Sequence, residues 1–383
     1  MHAVQTPVIP TVAALIAKTP GTISLGQGIA HYPPPPAVHQ ALANFGSDPG
    51  AHVYQAVTGT PALKTAIQQK LASDNRVDIP QERIVVTAGA NMAFNNALLA
   101  VASQGDEIIL LSPYYFNHEM AITMADCVPV VVPTDDNYQP DIAAIENAIT
   151  PRSKAIVTVS PNNPTGAVYP AETLQAINDL CREHGVFHIS DETYEYFTYE
   201  GVKHVSPLEF AGAHPHTISI YSLSKAYGFA SWRIGYMVIP DTLTHAVEKI
   251  QDTVLICPPV VSQVAATAAL TVGKTYCEPF VAGYADVRTL VLAQLEQLAD
   301  FVTVPRPDGA FYCLLNCDLP LAPMQVVQQL IRDFGVAVIP GDTFGIDGCY
   351  LRISYGALDK DSVDAGIGRL CEGLRAIAAN HSP

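Results

Sequence analysis

Ser222-Leu223-Ser224-Lys225-Ala226-Tyr227-Gly228-Phe229-Ala230-Ser231-Trp232-Arg233-Ile234-Gly235-Tyr236 lies between two apolar runs of β type, Thr217 to Tyr221 and Ile234 to Ile239. A lysine flanked by small residues, with an arginine eight positions on, is expected in a loop between two strands. Loops held by rigid strands are where chemistry is usually placed. A solitary loop lysine is ordinarily a solvated surface residue. The segment gains meaning only if other chemistry-bearing residues surround it in a consistent order.

The rest of the chain sets the frame. Its 383 residues are enough for two domains, or for one large domain with a satellite. Only 15% are charged and 49% are hydrophobic, which suits an α/β enzyme with a buried sheet, or an oligomer that hides surface. A formal net charge of −16 argues against nucleic acid or an anionic membrane as partner. Met1-His2-Ala3-Val4-Gln5 has no basic, apolar leader pattern. The uncharged stretches Ile84 to Gly105 and Thr253 to Lys274 contain Gly, Asn, Gln and Pro, and read as buried core segments. The eight cysteines form no CxxC motif, so reduced thiols in a cytoplasmic protein are expected.

In chain order, a mobile start leads to an extended arm, Thr22 to Gly28, and then to Pro33-Pro34-Pro35-Pro36, which disfavours a helix. Gly26-x-Gly28 lacks the third glycine of a dinucleotide fingerprint. Thr60 can cap a helix that starts at Pro61 and runs to about Ser73. Strands are expected at Ile84 to Thr87, Glu107 to Leu111, Lys154 to Ser160 and Val186 to Ser190. Helices alternate with them, from the Ala88-Gly89-Ala90-Asn91 turn to near Gln104 and from Glu172 to Glu183. This βα alternation favours a mostly parallel sheet with ligands at the strands' carboxyl ends. Asp241 to Lys274 reads as helix-rich, and Cys277 to Leu298 as a long connecting helix. From Phe301 the pattern is strand, strand, helix, strand, strand, helix, with Tyr350 to Ser354 as a late strand. Domains are expected at 1–47 (arm and part of the small domain), 48–275 (large) and 276–383 (small). Small residues at Gly89-Ala90-Asn91 let an anion approach a helix N-terminus. Asp191 at a strand end needs a cation, and Arg352 within an apolar run needs an anion. His118-Glu119 is not a zinc motif, because no second histidine stands at 122.

The segment around Lys225 resembles the Schiff-base region of the fold-type I pyridoxal phosphate (PLP) enzymes, in particular the class I/II aminotransferases. In that family a serine three before the lysine and an arginine eight after it hold the cofactor phosphate, and Ser222 and Arg233 stand there. The residue types suit the chemistry. An imine needs a primary amine, and a phosphate calls for a guanidinium and hydroxyl donors. The resemblance spans roughly residues 20 to 360, with Gly89, Tyr115, Asn163, Asp191, Tyr194, Ser222, Lys225, Arg233 and Arg352 in family order. It implies a seven-stranded type of sheet flanked by helices, plus a smaller α/β domain. It implies phosphate contacts from the N–H groups of Ala90 and Asn91, after Gly89. Tyr115 is to stack on the pyridine ring, Asn163 and Tyr194 to reach the phenolic oxygen, and Asp191 to face the ring nitrogen. Arg352, with Asn163, Gly28 and Ile29, is to take the substrate carboxylate. Tyr54 matches a tyrosine that reaches the phosphate of the other subunit, which implies a homodimer.

The implied reaction moves an amino group between an L-amino acid and a 2-oxo acid through a Schiff base on Lys225. Leu25-Gly26-Gln27-Gly28 and Pro113 to His118 also resemble a plant and cyanobacterial branch acting on methionine and aromatic substrates. The lysine of one acid-specific branch is replaced here by Ala90. Tyr32, Tyr114, Tyr115 and Phe116 favour apolar or ring-shaped side chains. Lyase or synthase chemistry on the same fold, an aspartate-type enzyme, and a PLP-binding regulator stand as alternatives. Ser222-x-x-Lys225 is also an acylation signature of penicillin-interacting serine enzymes. There it opens a helix and precedes S-x-N, whereas Ser160-Pro161-Asn162 comes earlier in this chain.

Overall fold

The structure, a computed structural model, describes residues 1–381. The chain folds first into α1 (Val8–Ile16), β1 (Ile23–Ser24), α2 (Pro36–Ala43) and α3 (Pro61–Asp74). There follow β2 (Ile84–Thr87), α4 (Ala90–Val101), β3 (Glu107–Ser112), α5 (Phe116–Met124), β4 (Val128–Pro133) and α6 (Ile142–Ala148). Next are β5 (Ser153–Val159), α7 (Ala171–His184), β6 (Phe187–Asp191), β7 (Thr217–Ser222), α8 (Leu223–Ala226) and β8 (Gly235–Val238). Helices α9 (Thr244–Val254), α10 (Val260–Val272) and α11 (Glu278–Leu295) come before β9 (Val302–Thr303) and β10 (Tyr312–Cys317). The last elements are α12 (Pro323–Phe334), β11 (Val336–Ala337), β12 (Ile339–Pro340), β13 (Tyr350–Ser354) and α13 (Lys360–His381).

Seven strands form one sheet in the order β2-β8-β7-β6-β5-β3-β4, and only β8 runs against its neighbours. The mostly parallel sheet expected from the βα alternation is present. Its inner strands are apolar on both faces because helices cover both. Alternate residues divide accordingly: Val85, Ile108 and Leu110 pack in one cluster, while Ile84 and Val86 join a second and Ile109 and Leu111 a third. Each such side chain, fully buried, contributes about 1.5–3 kcal/mol. Strand β4 lies at the edge, and its Val128 and Val131 stay exposed.

A four-stranded antiparallel sheet, β12-β13-β10-β9, carries the late strand. The chain's first strand joins this region: β1 pairs in parallel with β11, and the Ser354 N–H donates to Leu25 O at 2.7 Å. The arm is thus stitched to the C-terminal part of the chain.

Several local expectations are corrected. The start is not featureless, since residues 8–16 form α1. The proline run does not forbid a helix: α2 begins at Pro36, where a missing N–H costs nothing in the first turn. Thr60 occupies the cap position of α3 without a side-chain cap bond, and its N–H donates instead to Gln263 Oε1 at 2.7 Å. Lys225 sits not in open loop but on the short helix α8, whose cap is Ser222. The helix-opening S-x-x-K test therefore does not separate this chain from the serine enzymes. The stretches 84–105 and 253–274 are strand and helix segments, and among the described residues no helix is long and apolar enough to cross a membrane.

Buried His188 ties the sheet to α7. The Asn178 Nδ2 amide donates to its Nδ1 at 3.0 Å, so the ring proton sits on Nε2, 2.9 Å from Thr158 Oγ1. Burial, with His216 adding to it, lowers this imidazole from 6.5 to about 3. A depressed histidine keeps its contribution above its unfolded value and loses it in acid. Stability should fall as pH drops below about 6.5, by at most about 1.4 kcal/mol per unit from this group, and level off near pH 3. Denaturant titrations across that window should show a shallower slope for His188→Gln.

Candidate active site

A cavity of about 250 Å³ opens where the strands end. Parallel strands point their carboxyl ends to one side, so the residues just after them converge. Ala90 and Asn91 follow β2, Tyr115 and Phe116 follow β3, and Asn163 follows β5. Asp191 ends β6 with Thr193 and Tyr194 next, and Ser222 and Lys225 lie at the end of β7. Because β8 is antiparallel, its entrance faces the same side and delivers Arg233. The arm adds Gln27, Gly28 and Ile29, α1 adds Ile9, and the smaller sheet adds Tyr312 and Arg352.

One end of the cavity is built for an anion. Helix α4 starts at Ala90, so its first N–H groups and the positive end of its dipole face the opening. Gly89 lies just behind the wall with φ +84°, and a Cβ there would come within 2.6 Å of Arg233 Nη2. The positive φ favours glycine, and a side chain there would also push the guanidinium aside. Arg233 itself has φ 49°, an uncommon left-handed conformation for a side chain of this size, which the surrounding structure must hold. The Ser222 hydroxyl accepts the Ser224 N–H at 3.1 Å and keeps its own proton for a ligand.

At another wall, Arg352 is only 2% exposed. Its Nη1 donates to Asn163 Oδ1 at 2.9 Å and its Nη2 to Gly26 O at 2.7 Å, while Nε has no partner among the described residues. Arginine only donates, so Asn163 turns its oxygen toward Arg352 and its amide N–H groups toward the cavity. Among the described residues no carboxylate lies within ion-pair distance of Lys225, Arg233 or Arg352.

Lys225 Nζ hydrogen-bonds Gly28 O. Burial and the positive charges of Arg352 and Arg233 lower its ammonium to about 8, against an opposing pull from Asp191. The ammonium form still predominates near pH 7, but the neutral amine is far more accessible than in an ordinary lysine. Asp191 is buried, which raises its carboxyl, yet bonds from His118 and Thr193 outweigh burial and hold it below the usual range. His118 Nε2 stands 3.2 Å from Asp191 Oδ2, and its ring stacks on Phe94 at 4.0 Å.

The cavity thus unites the expected residues except two. Gly89 lies beneath its floor, and Tyr54 is 78% exposed on an outer face beside Phe45, His52 and Pro258. Tyr32 and Tyr114 are not cavity residues. Tyr32 stacks on Phe280 and donates to Lys225 O, while Tyr114 abuts Gly345. Sequence reading missed Ile9, His118 and Tyr312. In sequence His118 suggests only an incomplete metal motif, since its partner lies 73 positions away; Tyr312 carries no local signal in its strand.

A family model described as aminotransferase class I and II matches residues 20–370. The chain belongs to that family, whose members are aminotransferases that use pyridoxal phosphate. It is 33% identical over 382 residues to an aromatic aminotransferase of Arabidopsis thaliana, covering 97% of this chain and 94% of that one. To an aspartate/prephenate aminotransferase of Thermus thermophilus it is 35% identical over 331 residues, covering 85% and 83%. A solved aspartate aminotransferase single mutant of Thermus thermophilus matches with a TM-score of 0.90 at 31% identity, covering 97% and 98%. The cavity fits the cofactor on its own chemistry: an amine, an anion cradle at α4 with Arg233, and a carboxylate held ionised.

Removing the His118 contact should raise the Asp191 carboxyl. The acid limb of kcat/KM against pH should then move to higher pH in His118→Phe. An unchanged limb would remove His118 from the site's electrostatics.

Proposed function

We propose that this enzyme transfers an amino group between a neutral L-amino acid, aromatic or methionine, and a 2-oxo acid, with the cofactor held covalently through Lys225 Nζ. One observation carries the substrate class. The cations on the cavity wall are Lys225, Arg233 and Arg352, and beside them lie Ile9, Ile29, Ala90 and Phe116. With Lys225 given to the cofactor and Arg233 to its phosphate, Arg352 remains for one carboxylate. A dicarboxylate would have to bury its second charge unpaired, which is costly.

In this reading Ser222, Arg233 and the N–H groups of Ala90 and Asn91, after Gly89, hold the phosphate. Tyr115 lies against the ring, and Asn163 and Tyr194 offer donors to its phenolic oxygen. Asp191, kept ionised by His118, holds a proton on the ring nitrogen. When bound, the cofactor supplies an aldehyde for the amino group and a ring that accepts the electrons released at the substrate Cα. Arg352, with Asn163 and the Gly28-Ile29 backbone, orients the substrate by its carboxylate. Lys225, freed when the substrate amine takes its place on the cofactor, would accept the Cα proton on its neutral amine. It would deliver that proton to the carbon that carried the aldehyde, and the second half-reaction would run the same transfers backwards. The aromatic aminotransferase relative is in keeping with this preference. The aspartate/prephenate relative favours the second reading, in which a cation from a second subunit receives an acid.

We further propose a homodimer in the cytoplasm, with Tyr54 reaching the partner's phosphate. Its support is an exposed apolar set unusual for a free surface: Val53 at 59%, Tyr54 at 78%, Val254 at 58% and Ile256 at 43%. Domain limits at 48 and 276 are supported by the sheets: the seven strands fall within 84–238 and the four within 302–354.

Borohydride should fix the cofactor on Lys225, as located by peptide mass analysis, and a label on another lysine would refute the attachment. Among amino donors, kcat/KM for phenylalanine or methionine should exceed that for aspartate, and Ala90→Lys should raise aspartate use selectively. A preference for aspartate in the unaltered enzyme would defeat the substrate class. Tyr54→Phe should loosen cofactor retention by about 1 kcal/mol, one hydrogen bond; a fully active monomer in sedimentation would contradict the dimer.

A further inference from the structure

Tyr312 begins β10 with its side chain buried, and it touches the site in three places. Its hydroxyl lies 2.7 Å from the Tyr194 hydroxyl. Its ring lies under the Arg352 guanidinium, 4.8 Å from centroid to carbon. A Cβ at Gly28 would fall 2.4 Å from its hydroxyl oxygen, so the Gly28 backbone, which also holds Lys225, can sit there only as glycine.

The two hydroxyls share one hydrogen bond, and either is able to donate it. Each phenol has a single proton. If Tyr194 gave its proton to Tyr312, none would remain for the cavity. The Tyr312 hydroxyl has no other hydrogen-bond partner among the described residues. Burial raises both phenols. The Arg352 guanidinium, seated over the Tyr312 ring at 4.8 Å, pulls Tyr312 back and leaves it the more acidic phenol of the two. Tyr312 is the better donor of the pair.

We propose that Tyr312 is a positioning residue that donates to the Tyr194 oxygen and so keeps the Tyr194 proton directed into the cavity, toward the cofactor's phenolic oxygen. The inference rests on the reading that Tyr194 serves that oxygen. It adds a second hydroxyl, from the smaller sheet, that sets the direction of the first. Ring and hydroxyl have separate tasks: the ring supports Arg352, and the hydroxyl orients Tyr194.

Tyr312→Phe keeps the ring under Arg352 and removes only the hydroxyl. The readout is the pH midpoint of the absorbance band of the Lys225-bound cofactor in purified holoenzyme. A hydrogen bond to an ionised oxygen favours the ionised form, so weakening it raises the midpoint. Tyr312→Phe should raise it by about half a unit to one unit, the worth of one hydrogen bond. Tyr194→Phe should raise it at least as far. The double variant should match Tyr194→Phe within about 0.3 unit, because the second hydroxyl acts only through the first. With Arg352 still seated on the ring, KM for the amino donor should change less than kcat. Equal shifts from Tyr312→Phe in the presence and absence of Tyr194, or no shift while Tyr194→Phe shifts, would overturn the proposal alone. A midpoint insensitive to Tyr194→Phe would overturn the Tyr194 reading and this proposal with it.

Discussion

The Arg352 guanidinium is sealed inside the protein without a carboxylate, and this cation constrains everything around it. A buried charge without compensation costs several kcal/mol. Here the compensation is neutral and comes from distant parts of the chain: Asn163 after β5, Gly26 in the arm, and the faces of Tyr312 and Phe344. Holding one cation therefore brings the arm, the large sheet and the smaller sheet together at the cavity. One donor, Nε, is buried without a partner among the described residues. The same group ties the cavity walls together and, in the proposed reading, selects the substrate.

Two other buried charges have charged partners, and the contrast separates framework from site. Lys70 Nζ reaches Glu195 at 2.6 Å and Asn75 at 2.7 Å, and lies 4.5 Å from the Tyr221 ring centroid. Glu192, with no exposed surface, accepts from Ser206 at 3.0 Å and faces His204 at 2.9 Å. These pairs lie next to the catalytic strand ends: Glu192 adjoins Asp191, and Tyr221 adjoins Ser222. Successive residues of a strand face opposite ways, so β6 turns Asp191 to the cavity and the following glutamate to a satisfied network. Breaking such a pair leaves a buried charge alone. The strand ends are fixed by that penalty, and the unpaired cations in front of them remain free for ligands.

Much of this was legible in residue order. Runs apolar on both faces announced a parallel sheet covered by helices. The turns after them announced a cavity, because strand ends in such a sheet converge. Arg352 stood out because a guanidinium interrupted an apolar run and Asp191 because an acid ended a strand, whereas Lys225 gained meaning only from Ser222 and Arg233 at the spacing of the resembled family. The errors were local. Pro36 was read as a helix breaker although it suits a first turn, and Thr60 was given a cap bond that its surroundings replace with Gln263. Tyr32 and Tyr114, expected at the substrate wall, lie outside it, because Tyr32 stacks on Phe280 and Tyr114 packs against Gly345.

Sequence by itself determined the element types, the alternation that makes the sheet parallel, and which residues bear chemistry. The first two follow from short-range rules, periodicity and turn preference, and the chemistry-bearing residues follow from their order along the pattern of the resembled family. Tertiary structure alone decided that His118 meets Asp191, that Tyr312 meets Tyr194, and that α1 brings Ile9 to the cavity. It also decided that Gly28 and Gly89 must lack side chains, since their neighbours are Tyr312 and Arg233. Such contacts join residues far apart in the chain, and no local pattern records a distance that exists only after strands from two sheets have closed around one cavity.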